Sequence, residues 1–186
     1  MIAIFTFLFF LWQTPALASW RQRGVIFLRY LSSSLLAAGI SAVILLPTFY
    51  ALMQSKGTYT ETKIHSRFEY FAPKMLGKLV PGSFNFNQMP SGQPNIYIGM
   101  LLMLGACLYF FNNRFDLRRR LIGAAISIFF IFSFCYEPLD LLWHAGQFPV
   151  WYPYRFSYLF SFWCIYLAAK VLQPDFKIKK RSAMIL

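Results

Sequence analysis

The sequence predicts an all-α, multi-pass transmembrane helical protein of about five spans, and three observations carry that reading. Hydrophobic residues make up 58% of the 186 residues and charged residues only 13%, roughly half the charged share of a soluble domain. Mean hydropathy is +0.50. The apolar residues gather in runs of the length that crosses a bilayer core of about 30 Å, rather than alternating. The basic residues, which bring the formal net charge to +12, lie in short clusters beside those runs. That is the pattern that orients membrane spans, so it argues for anionic lipid and against nucleic acid as the partner.

The spans follow in order within a single transmembrane region, 1–186. Residues 2–18 are the first apolar run. Ala16-Leu17-Ala18 resembles a signal-peptidase site, but no positive charge precedes the run and Arg21 and Arg23 follow it at once. A retained span with its C-terminal end in the cytoplasm is therefore expected. Residues 25–52 form the second span, with Arg29 near its cytoplasmic end and Pro47 marking a kink near its outer end. Ser32, Ser33, Ser34, Ala37, Ala38, Gly39, Ser41 and Ala42 give it a small-residue face, which predicts packing against other helices.

Residues 53–94 are one long loop. Within it Phe68, Phe71, Ala72, Met75, Leu76 and Leu79 recur at helical spacing, with Arg67, Glu69, Lys74 and Lys78 mostly off that stripe. The pattern predicts an interfacial helical segment lying among lipid headgroups, started or broken at Pro73. Residues 95–111 are the third span, followed by the arginine-rich turn 114–120. Residues 121–136 are the fourth span, 137–153 a second loop, and 154–173 the fifth span before a lysine-rich tail. With five spans, the clusters at 21–29, 114–120 and 170–181 all fall on the cytoplasmic side. Both long loops are then extracytoplasmic.

Cys107, Cys135 and Cys164 sit singly within apolar runs, which suits packing rather than a disulfide framework or a thiolate metal site. No phosphate-binding glycine loop, zinc-binding histidine pair or nucleophile elbow is present in the sequence. Candidate chemistry concentrates in 137–155. Residues 137–147 read as a short helix, with Pro138 in its first turn and Gly146 as its stop. Leu139, Leu142 and Trp143 would face the membrane, while Asp140 and His144, four apart, share another face. With Glu137 they could approach one ligand or a divalent metal; the competing reading is that all three solvate a surface helix.

Arg155 starts an apolar helix at the outer boundary among aromatic residues. A lipid phosphate or pyrophosphate would match its guanidinium fork, and headgroup snorkelling accounts for it equally well. Trp143, Trp151, Tyr152, Tyr154 and Tyr158 could stack on a sugar ring or simply form the aromatic belt. Of six acids, Asp116 and Asp175 fall on the cytoplasmic side. An extracytoplasmic general base must then be Glu61, Glu69, Glu137 or Asp140, or lie on another chain.

Three segments resemble the YfhO family of bacterial multi-pass membrane proteins: SSSLLAAGISAVILLPTFYAL (32–52), GQPNIYIGMLLMLGACLYFFN (92–112) and LDLLWHAGQFPVWYPYRFSYLFSF (139–162). The third is the most specific, with its aromatic-proline turn leading into Tyr154-Arg155-Phe156-Ser157. The resemblance implies a fold similar to the C-type glycosyltransferases, which use polyprenyl-phosphate sugars at the outer membrane face, with some members linked to glycosylation of cell-wall polymers. It implies a location in the bacterial cell membrane and a place within a longer, many-span protein, so that the rest of that protein or neighbouring helices would be partners. The catalytic acid of such enzymes usually lies in the first extracytoplasmic loop, and no loop of that kind precedes these three segments. The chain is accordingly expected to be an internal or truncated piece that lacks it, and its catalytic residues are not assigned. Residue by residue, Arg155 would contact the donor phosphate, and Asn95, Trp143 and His144 would line the cavity; Asp140 joins them from its place on the short helix. No resident cofactor is implied. The alternative is a non-catalytic membrane scaffold or transporter fragment. The span centres carry no acid, which favours a scaffold over a transporter.

The orientation is directly testable. On a background without the native cysteines, Ser55→Cys and Gln147→Cys should each react with an impermeant thiol reagent added outside the cell. Labelling of neither would reverse the orientation.

Overall fold

The computed structural model describes residues 1–14, 19–54, 66–69, 71–88, 92–144, 146 and 152–173. Among them the chain is α-helical: α1 (Ile2–Gln13), α2 (Trp20–Met53), α3 (Met100–Phe111), α4 (Leu117–Cys135), α5 (Glu137–Trp143) and α6 (Ser157–Val171). Two 3-10 turns, Ala72–Leu79 and Phe86–Gln88, lie between α2 and α3. The positions Ser55, Glu61, Gln147 and Trp151, the tail beyond 173 and the candidate cleavage site at 16–18 fall outside the described residues.

The core is built by α1, α3, α4, α5 and α6, and aromatic rings fill it. The α3–α6 contact is close because both helices offer small residues there: a Cβ built on Gly105 would stand 3.0 Å from the Ala168 Cβ. Trp12, Tyr109, Phe130 and Trp163 are all buried between the helices. The two indole N–H groups are tied to α4, Trp12 donating Nε1–H to the Arg119 carbonyl at 3.0 Å and Trp163 donating to Ser127 Oγ at 3.0 Å.

One end of this bundle is held by arginines. Arg118 donates to the Thr14 carbonyl at 2.7 Å, just past the end of α1. Arg120 donates to the Phe110 carbonyl at 3.2 Å, in the last turn of α3. Cations at helix C-termini satisfy carbonyls that have no partner in the helix and suit the negative end of the dipole. The turn expected to be cytoplasmic thus closes on the expected cytoplasmic ends of α1 and α3.

Helix lengths differ from the expected spans. Only α2, over Trp20–Ala51, is long and apolar enough to cross a membrane by length and composition among the described residues. α1 and α3 have 12 residues each, or about 18 Å at 1.5 Å per residue, and α6 has 15. The expected 95–111 span is helical only from Met100, because Pro94 and Gly99, the latter at φ +92°, hold the chain before it out of the helical region. Likewise 154–173 is helical only from Ser157, after the turn that carries Arg155.

α2 begins earlier than expected and continues as helix through Pro47. Among the described residues its small-residue face is not packed against another helix: Ser32, Ser33, Ser34, Ala37, Ala38, Gly39 and Ser41 are exposed. In its first third α2 meets α1, where the Tyr30 ring stacks on Phe10 with centroids 4.7 Å apart, Phe27 also lies against the Phe10 ring, and the Tyr30 hydroxyl meets Thr6 at 3.1 Å.

The expected amphipathic segment near 65–80 also forms differently. Residues 66–69 are extended, and Ala72–Leu79 is a 3-10 helix that packs on α4. Three residues per turn align Ala72, Met75 and Lys78 in one row. This row faces inward, so Met75 and Lys78 are buried while Phe71 and Leu76 are exposed. The buried Lys78 ammonium, expected on the polar side, donates to the Ser83 carbonyl at 2.8 Å and to the Gln88 side-chain oxygen. Cys135 and Cys164 are buried free thiols, whereas Cys107 is exposed.

Candidate functional site

The end of the bundle opposite the arginine turn is organised by the extended stretch Ser66–Glu69. It pairs antiparallel with the α4–α5 junction through a bridge between Phe68 and Tyr136. Glu69 N–H donates to the Cys135 carbonyl at 2.8 Å, and Glu137 N–H to the Arg67 carbonyl at 3.2 Å. Alternation along an extended strand separates the side chains. Phe68 lies against the Phe132 and Tyr136 rings. Arg67 and Glu69 serve the opposite face: Arg67 Nε contacts Glu137 Oε2 at 2.5 Å, and Tyr154 O–H donates to Glu69 Oε2.

The α5 helix is close to its sequence reading. Pro138 lies in its first turn, and Gly146, at φ +79°, closes it by donating to the Leu141 carbonyl at 2.8 Å. Helix geometry ends at Trp143, short of the expected 147. Trp143 does not face the membrane; it is buried, stacked between Phe130 and Phe156 at centroid distances of 5.1 and 4.9 Å. Phe156 in turn stacks on Phe134 at 4.7 Å. The turn before α6 is therefore pinned by Phe156, and this fixes the positions of Tyr154 and Arg155 just before it.

Glu137 is fully buried and Asp140 nearly so. Neither solvates a surface helix. Glu137 is met by Arg67, as a buried carboxylate requires. His144 Nδ1 stands 3.6 Å from Asp140 Oδ1 and 2.9 Å from the Asp140 carbonyl. Burial, together with the nearby charges of Glu69 and Glu137, pushes the Asp140 carboxyl up to about 8. Burial also holds the His144 imidazole below its ordinary value; the hydrogen bond to the Asp140 carbonyl opposes this and the Arg155 charge adds to it. At neutral pH the two are a neutral acid beside a neutral ring. Among the described residues, no group of three or more His, Cys, Asp or Glu side chains is arranged to hold a metal ion.

Two grooves flank this end. The larger, of about 760 Å³, is lined by Asn95, Tyr97, Tyr152, Tyr154, Arg155, Ser157, Tyr158 and Ser161, with Gln88 and Gln93 on the facing loop. Arg155 stands at the N-terminal end of α6, where the helix dipole adds positive potential. The second groove, of about 550 Å³, is apolar and lined by Phe68, Phe71, Ala72, Ile128, Ile131, Phe132 and Cys135.

The structure thus brings Arg155 and Asn95 into one cleft. Asp140, Trp143 and His144 are not among its lining residues: Trp143 and His144 meet the Phe156 ring, and Asp140 contacts His144. Sequence reasoning does not find the Arg67–Glu137 pair or the Glu69–Tyr154 contact. The one available signal is the arginine-glutamate alternation at 67 and 69, which the helical spacing of the apolar residues over 65–80 obscures.

Among the described residues, then, the chain is an α-helical bundle with one long apolar helix and an arginine- and tyrosine-lined cleft. The chain belongs to the YfhO family: the family model, described as bacterial membrane protein YfhO, matches residues 1–186. No curated protein and no solved structure matches it.

The raised Asp140 carboxyl has a measurable sign. Between its ordinary value of 3.8 and about 8, the folded chain keeps a proton that the unfolded chain releases, so stability falls as pH rises through that window. Asp140→Asn removes this titration. Its thermal midpoint in detergent, relative to the unaltered protein, should rise between pH 5 and pH 8; a constant difference would show that Asp140 is not held protonated.

Proposed function

We propose that this chain is part of a multi-pass membrane protein that transfers a sugar from a polyprenyl-phosphate-linked donor to a cell-wall polymer or lipid at the outer face of the bacterial membrane. The observation that carries the reading is Arg155, placed in a cleft walled by tyrosines at the positive end of α6. A guanidinium fork there matches a phosphate, and tyrosine faces and amide side chains suit a sugar ring. The apolar groove on the other side of the Phe68 strand suits an isoprenoid chain. The multi-pass arrangement is supported by which ends meet. Residues 12–14, toward the expected cytoplasmic end of the first span, are joined to the expected cytoplasmic turn at 118–119, and the expected outer loop at 67–69 is joined to residues 136–137 and 154, at the expected outer ends of the fourth and fifth spans.

In the full-length protein, Arg155→Ala should lower sugar transfer at least about tenfold, since a charge-assisted phosphate contact contributes on the order of 1.5–3 kcal/mol. The amount of protein in the membrane should not change, and Arg155→Lys should keep part of the activity. Unchanged transfer in Arg155→Ala would remove Arg155 from the site. Absence of transfer by the unaltered protein would favour the scaffold reading.

A further inference from the structure

Sugar transfer to a hydroxyl must dispose of the hydroxyl proton, and the described residues around the cleft offer three carboxylates at this end of the bundle: Glu69, Glu137 and Asp140. Geometry separates them. Glu137 is fully buried and engaged by Arg67. Asp140 is nearly fully buried beside His144 and is not among the residues lining the cleft. Glu69 is exposed, and its carboxylate accepts the hydroxyl hydrogen of Tyr154, which is itself a wall of the cleft beside Arg155. Its backbone is fixed by the bond to the Cys135 carbonyl, so the carboxylate is held at that wall.

We infer that Glu69, acting through Tyr154, accepts the proton of the sugar acceptor; the inference rests on the glycosyl-transfer reading above. The acceptor oxygen forms a bond to the anomeric carbon as the bond from that carbon to the donor phosphate oxygen breaks. The acceptor proton passes to the Tyr154 oxygen as the Tyr154 proton passes to Glu69. The lipid phosphate leaves with the bonding electron pair toward Arg155. Atoms and charge balance, and no oxidant or reductant is needed. In these terms Tyr154 touches the acceptor and Glu69 is a positioning and proton-accepting residue behind it. Glu69 meets the Tyr154 hydroxyl and acts electrostatically on Cys135 and Asp140; Arg67 and Glu137 pair beside it, Tyr136 lies across the bridge, and His144 and Arg155 are one contact further, through Asp140 and Tyr154.

The test uses the full-length protein in liposomes, with a polyprenyl-phosphate sugar as donor and a hydroxyl acceptor lipid. Glu69→Gln should lower kcat at least about hundredfold, the usual worth of a positioned base, with the KM for donor within about threefold. Glu69→Asp should recover at least about tenfold of that loss. The acidic limb of the pH–rate profile should vanish in the residual activity of Glu69→Gln. Tyr154→Phe keeps the ring and removes the relay, so it should lose kcat with donor KM preserved. If Arg155→Ala is inactive while Glu69→Gln and Tyr154→Phe transfer at the unaltered rate, the inference fails and the function stands. If the unaltered protein transfers no sugar, both fall.

Discussion

The arrangement of this end of the molecule depends on one short antiparallel contact, that of Ser66–Glu69 with the junction between α4 and α5. Two backbone hydrogen bonds and the Phe68–Tyr136 bridge set its register. Because strand side chains alternate, a slip of one residue would point Phe68 at Glu137 and turn Arg67 and Glu69 toward the apolar groove. Register is therefore specified by burial of a carboxylate. Glu137 is fully buried and takes a charge-assisted contact from Arg67, which a shifted register would break. The same register carries Glu69 to Tyr154, so the acidic cluster and the cleft are parts of one construction.

The second constraint is the column of rings formed by Phe134, Phe156, Trp143 and Phe130. Each stacked pair contributes about 0.5–1.5 kcal/mol beyond the area it buries. The column holds α5 and the start of α6 against α4. It fixes the backbone around Phe156, with Tyr154 and Arg155 at the cleft and Asp140 and His144 behind. The separation of a polar aromatic cleft from an apolar groove follows from the strand and this column together.

Much of the helical architecture is legible in the sequence, because apolar runs and flanking arginines report it directly. Pro138 marks the first turn of α5 and Gly146 the turn that closes it after Trp143, and Arg155 and Asn95 both line the larger cleft. Three things are not legible. Helical spacing puts Trp143 on a membrane-facing side but cannot say which neighbour covers that side, and Phe156 arrives from beyond the next loop. A period of 3.6 puts Lys78 on the solvated side, whereas the chain there winds with a period of three. The Arg67–Glu137 and Glu69–Tyr154 contacts join residues 70 and 85 positions apart, and no local pattern encodes such separations. Short helical lengths at α1, α3 and α6 likewise reflect Pro, Gly and turn residues that interrupt runs whose composition alone suggests longer spans.

Docking of Ser66–Glu69 on the α4–α5 junction in this register can be tested by one cross-link. Phe68 and Tyr136 form the non-hydrogen-bonded pair of the bridge, with ring centroids 5.2 Å apart. The Cα separation of such pairs, about 4.5 Å, lies within disulfide range. In membranes, on a background in which Cys107, Cys135 and Cys164 are replaced, the double variant Phe68→Cys/Tyr136→Cys should form an intramolecular disulfide under mild oxidation. Pairing Arg67→Cys with Tyr136→Cys, one residue out of register, should not. Efficient cross-linking at the shifted pair, or none at the bridge pair, would contradict the register and with it the placement of Glu69 at the cleft.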